Sequence, residues 1–123
     1  MESKINSYKD LIVWQRAMEL VVAVYELTEN FPKEEVYGIT SQVRRSALSI
    51  ASNIAEGRYR GTKSDYLHFL RMSYGSGAEL ETQVEAAKRL PKTKHLNYSK
   101  ADSLLEEVMK MLNVMIRKFN PKS

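Results

Sequence analysis

Residues 37–57 read YGITSQVRRSALSIASNIAEG. Its apolar residues Ile39, Val43, Ala47, Ile50 and Ile54 recur every three or four positions. That spacing puts them on one stripe of an α-helix, whereas a strand needs alternation. The stretch predicts a helix over 37–56, with Gly57 as the residue that ends it. The same period extends outward in both directions. Upstream, Leu11, Trp14, Met18, Val21, Val22 and Tyr25 form the expected core stripe of a first helix over 10–30, with Asp10 as its N-cap. Downstream, Tyr66, Phe69, Leu70, Leu80, Val84 and Ala87 mark a third helix over 63–90, opened by Thr62 or Ser64. Ala101, Leu104, Leu105, Val108, Met111, Leu112, Met115 and Phe119 give the fourth helix, over 98–119, a seven-residue rhythm.

Phe31-Pro32, Gly61, Leu90-Pro91 and Asn120-Pro121 punctuate these segments. Four amphipathic helices with short connections predict an all-α domain spanning residues 1–123, an antiparallel up-down-up-down four-helix bundle. A three-helix bundle with an added helix is the alternative. The chain has 123 residues and no cysteine, which removes disulfides, thiolate nucleophiles and the usual structural zinc. Its opening MESKINSYKD lacks an apolar run, so a cytoplasmic protein without a membrane segment is expected. The formal net charge of +4 permits a polyanionic partner without requiring one.

Catalytic chemistry has little to draw on. There are two histidines, His68 and His95, far apart in sequence, and no His/Asp/Glu group has metal-ligand spacing. No catalytic residue, metal or cofactor is expected. Arg89 and His95 are spaced as in some helical ribonucleases, but Pro91 interrupts a helix between them.

The polar residues are more informative. Gln42, Arg45, Ser49, Asn53 and Glu56 line one flank of the second helix, and Ser76, Glu79 and Gln83 line a flank of the third. Facing one another, they would form an interhelical network in which Arg45 pairs with Glu56 or Glu79 and Asn53 bonds near Ser76. Gly75 and Gly77 lie inside the third helix, where glycine costs about 1 kcal/mol relative to alanine. Close packing against a neighbouring helix would offset that. Two further apolar lines, Val13, Leu20 and Leu27 on the first helix and Leu48, Ala51 and Ala55 on the second, exceed what one bundle seam needs. They predict a self-association surface; a wide monomer core is the plainer reading.

In an up-down-up-down bundle the second connection shares an end with both termini. That end would collect Arg58, Arg60, Lys63, Arg117, Lys118, Lys4, Lys9 and Lys122, with Tyr59 available to stack on a base. The opposite end carries Lys88, Arg89, Lys92, Lys94 and Lys100, diluted by Glu29, Glu34 and Glu35. These basic ends are candidate contacts for RNA or DNA, or solvated helix termini that favour the macrodipole.

The stretch at 37–57, together with LIVWQRA at 11–17, YELTENFP at 25–32 and GSGAELET at 75–82, resembles the 23S rRNA-intervening-sequence protein family. The resemblance implies a four-helix-bundle protomer and a ring-shaped homopentamer. More distantly the chain resembles the accessory variability determinant of diversity-generating retroelements, which binds nucleic acid and a reverse transcriptase. The expected function is therefore a non-enzymatic homo-oligomer that binds RNA or a ribonucleoprotein. The alternative is a scaffold that recruits a protein partner without nucleic acid.

Overall fold

A computed structural model describes residues 7–119. Lys4, Lys122 and the Asn120-Pro121 stop lie outside them. Among the described residues the chain is all-helical: α1 Ile12–Thr28, α2 Ile39–Arg60, α3 Lys63–Ala87 and α4 Ser99–Phe119, with no strand. α1 packs on α2 and α4, and α3 packs on α2 and α4. Contacts climb α2 as they descend α3: Ser49 meets Ser76, Ile50 meets Ser73, and Gly57 meets Phe69.

The helix ends show which local signals act. Asp10 does not cap α1. Its carboxylate accepts from the Ser7 backbone N–H, while the Ser7 hydroxyl accepts from Lys9, so the pair closes a 3-10 turn at Tyr8–Asp10. α1 then starts from an extended Leu11 with no side-chain cap. Gly57 does not end α2 either. The helix runs on through Arg60 and stops at Gly61, whose φ of 87° is a left-handed conformation that favours glycine. Thr62 caps α3 as expected, its hydroxyl accepting from the Asp65 N–H at 3.1 Å. α3 ends at Ala87, short of 90. There the buried Thr93 hydroxyl turns back to donate to the Ala87 carbonyl at 2.6 Å. The Tyr98 hydroxyl donates to the Thr93 carbonyl at 2.8 Å, which fixes the connection to α4.

The buried residues of all four helices form one hydrophobic cluster. α2 and α4 face it with the expected stripes: Val43, Ala47, Ile50 and Ile54 from one, Leu104, Leu105, Val108 and Leu112 from the other. α1 is rotated from expectation. Val13, Ala17, Leu20, Val21 and Val24 are buried, whereas Val22 of the expected stripe is 52% exposed. Leu11, Trp14 and Met18 are only partly buried at its edge, and Trp14 meets Tyr8 edge to face at 5.3 Å. Consequently Val13 and Leu20, expected on an interface between subunits, belong to the core of the single chain. So does Ala51 of α2. Leu27 and Ala55 are half-buried, and Leu48 alone of those six is exposed. Burying a leucine is worth about 1.5–3 kcal/mol wherever it happens, and the protomer itself supplies the cover.

Candidate nucleic-acid interface

The extra turn of α2 changes what the basic segment is. Arg58, Tyr59 and Arg60 are helical and held by their own backbone, not part of an adaptable loop. Gly57 makes this turn possible beside α3, because a Cβ there would lie 2.7 Å from the Phe69 Cβ. Gly61 and Thr62 then reverse the chain, and Lys63 begins α3. The last turn of α4 closes on the same place: Tyr66 meets Phe119 edge-on at 5.4 Å. Arg58, Lys63, Tyr66 and Phe119 line a cavity of about 230 Å³ there. Arg117 and Lys118 immediately precede Phe119 and are exposed.

The electrostatics are uneven. Arg60 is paired with Glu56 at 2.9 Å, and its guanidinium also lies 5.1 Å over the Phe69 ring. Lys63, Arg117 and Lys118 form no ion pair among the described residues. Tyr59 is 86% exposed. Burial pushes the Tyr66 phenol above its ordinary pKa, and the Arg58 charge pulls it part of the way back. The Tyr66 hydroxyl is buried without a hydrogen-bond partner among the described residues, as is the side-chain oxygen of Gln83. At the far end Lys88, Arg89 and Lys92 are matched by acids, while Lys94 and Lys100 form no ion pair among the described residues. Lys88 bonds Asp102 at 2.7 Å and Glu85 at 3.3 Å, and these hydrogen bonds raise its pKa. Arg89 sits 3.9 Å from Glu85, and Lys92 bonds Glu34 at 2.6 Å.

The interhelical polar network is smaller than the sequence suggests. Ser49 and Ser76 share a hydroxyl hydrogen bond of 2.8 Å, and Asn53 donates to the Ser49 hydroxyl at 3.0 Å. Ser73, which periodicity did not single out, donates to the Ile50 carbonyl at 2.8 Å. Gln42, Arg45 and Glu79 are exposed and outside it, and Glu56 turns outward to Arg60. The reason is reach. Positions on the rim of a helix contact keep short serine and asparagine side chains inside, while long charged ones extend to water. Glu56→Ala should therefore remove only an exposed pair worth about 0.2–1 kcal/mol. A thermal melt should move little, and a large fall in melting temperature would place Glu56 back in a buried network.

Among the described residues no group of three or more His, Asp or Glu stands together to hold a metal. No helix there is long and apolar enough to cross a membrane. Sequence reasoning also missed Arg44, whose Nε donates to the Thr28 hydroxyl at 2.8 Å and whose guanidinium lies 4.4 Å over Tyr25. An arginine flanking the core stripe, 16 residues from Thr28, gives no local signal of that contact.

The fold is similar to a solved structure of a protein with unknown function from the S23 ribosomal protein family of Bacteroides thetaiotaomicron VPI-5482. The TM-score is 0.71 at 22% identity, over 86% of this chain and 99% of that one, so the likeness is one of fold. No curated protein matches the chain. The family model of the 23S rRNA-intervening sequence protein matches residues 9–114, which include all of α1, α2 and α3 and most of α4. With that span matched and the helical fold shared, the chain belongs to the 23S rRNA-intervening sequence protein family.

Proposed function

We propose that this chain is a non-enzymatic, single-domain, up-down-up-down four-helix bundle that self-associates and binds RNA or DNA through one basic end. The bundle reading rests on the opposite-running contacts of α2 with α3 and of α3 with α4, and on the short connections. The binding reading rests on one observation. Arg58, Lys63 and the α4 end bearing Arg117 and Lys118 converge around the Tyr66–Phe119 contact, beside an exposed Tyr59. At the far end Lys88 and Lys92 are matched by acids; Lys63, Arg117 and Lys118 form no ion pair among the described residues. Rigid helix ends suit sequence-tolerant contacts to phosphates, with Tyr59 free to stack on a base. A cytoplasmic location goes with this reading.

A homopentamer repeats the basic end around one face, and weak phosphate contacts add through multivalency. With Val13, Leu20 and Ala51 occupied in the protomer, the surface that supports self-association is the α1–α4 groove. It holds about 510 Å³ between Leu11, Ile12, Met111, Val114 and Met115, with Ile12 and Val114 exposed. Ile12→Glu should lower the mass measured by light scattering at micromolar concentration. An unchanged mass puts the contact elsewhere.

Fluorescence anisotropy with labelled oligonucleotides across a salt series tests the binding. Each neutralised phosphate contributes a slope of about −0.7 for single strands, so Arg58→Ala with Arg60→Ala should weaken binding and flatten the salt dependence. Tyr59→Ala should cost about 1–3 kcal/mol if the ring stacks on a base. A wild-type protein that binds no oligonucleotide at low salt overturns the reading and leaves the protein-recruiting scaffold in its place.

A further inference from the structure

The second arginine cluster lies on a different face. Between α1 and the start of α2 a cleft of about 460 Å³ is walled by Tyr25, Val36, Thr40, Arg44, Arg45 and Leu48. Arg44 is fixed in it from two sides. Thr28, itself buried, donates to the Val24 carbonyl at 2.8 Å and accepts from Arg44 Nε at 2.8 Å. The Tyr25 ring carries the guanidinium at 4.4 Å. That leaves the outer guanidinium nitrogens of Arg44 without an acceptor among the described residues. Arg45, next in sequence and exposed, has no ion pair there either. Glu29 borders the adjoining cleft with Arg44 but stays beyond ion-pair distance of it. Beside the two charges stand aliphatic walls: Val36 is 47% exposed and Leu48 40%.

We propose that this cleft is a docking site for an acidic peptide segment of a partner protein, one that sets a carboxylate beside an aliphatic side chain. Charge complementarity selects the carboxylate. A guanidinium fork binds it with two parallel hydrogen bonds, and Arg44 is already ordered before the ligand arrives, so that ordering cost is not charged to binding. Val36 and Leu48 select the aliphatic neighbour. Nucleic acid fits less well here, because the Tyr25 face that a base would stack on is covered by Arg44, and the exposed walls at Val36 and Leu48 are aliphatic. The site is separate from the basic end at Arg58, so it stands or falls independently of the nucleic-acid reading.

The test uses the full chain and fluorescein-labelled peptides that place one or two Glu or Asp residues between Leu, Ile, Val or Phe. Anisotropy should detect binding at low salt. Peptides with Gln or Asn in place of the acids should bind at least about tenfold more weakly, as a charge-assisted contact requires. Arg45→Ala and Leu48→Ser, both at exposed positions, should each weaken binding several-fold while circular dichroism stays unchanged. Arg58→Ala should bind the peptides like wild type. Equal binding of the amide peptides, or undiminished binding by both cleft variants, overturns the proposal. So does an absence of binding by every acidic peptide. If oligonucleotides bind and lose affinity in Arg45→Ala while the peptides do not bind, the cleft is a nucleic-acid contact instead.

Discussion

Leu20→Ala should destabilise the protomer by about 2–5 kcal/mol, the range for removing a fully buried leucine. Leu20 is 0% exposed within one chain, and it shares its cluster with residues from the other three helices. The cost combines lost transfer energy with the cavity left among close-packed neighbours. Total stability of a domain this size is about 5–15 kcal/mol, so the variant should show a much lower urea midpoint. Leu20→Glu should not fold, because it places an unpaired carboxylate in that core. Val22→Glu, two residues away on the exposed face, is the control and should melt near wild type. All must be compared at one protein concentration, since any self-association would add to apparent stability. If Leu20→Ala melts like wild type and Val22→Glu does not, α1 faces the core with its other side. The self-association surface proposed at the α1–α4 groove then moves to Leu20.

The same substitution at two glycines should have opposite signs. Gly57→Ala gains up to about 1 kcal/mol of helix propensity. Its new methyl, however, meets the Phe69 Cβ at 2.7 Å, Tyr66 Cδ1 at 3.3 Å and the Tyr66 carbonyl at 3.4 Å. A Cβ and a backbone oxygen cannot swing away as the tip of a long side chain can. Overpacking of this kind costs about 1–3 kcal/mol, so α2 must move off α3 and the net change is a loss. Gly75→Ala meets nothing within 4 Å and should stabilise by up to about 1 kcal/mol. Paired thermal melts decide between the signs. A stabilised Gly57→Ala would mean that α2 and α3 do not approach closely there. The consequence reaches the basic end, because Arg58 and Lys63 line the same cavity as Gly57. Gly57→Ala should therefore also weaken any oligonucleotide binding that Gly75→Ala leaves intact. Gly77 differs from both: its missing Cβ makes room for the Met109 side chain of α4, as expected of a glycine that permits close packing.

Period and punctuation along the chain specify the four helices. α4 has one apolar face, and in α2 the larger residues keep to one stripe beside the line of Leu48, Ala51 and Ala55, so their period fixes both the element and the main side that is buried. The segments at 11–17, 25–32, 37–57 and 75–82 were sufficient to identify the family that residues 9–114 match. α1 was legible as a helix but not in its rotation. Ile12, Val13, Val21 and Val22 make it apolar nearly all round, and small Ala17 and Ala23 let the Leu20 side approach its neighbours more closely than bulky Trp14 allows. Gly57 and Gly61 read alike as helix stops; only Phe69, 12 residues on, shows that one is a contact and the other a cap. The basic residues could be counted, but not sorted. Lys92 meets Glu34 across 58 residues of chain and Lys88 meets Asp102 across 14, while Lys63 and Arg117 meet no acid among the described residues. Period and punctuation are properties of neighbours in the chain. The rotation of α1, the purpose of a glycine and the pairing of a lysine depend on what lies opposite, and that exists only once four helices have packed.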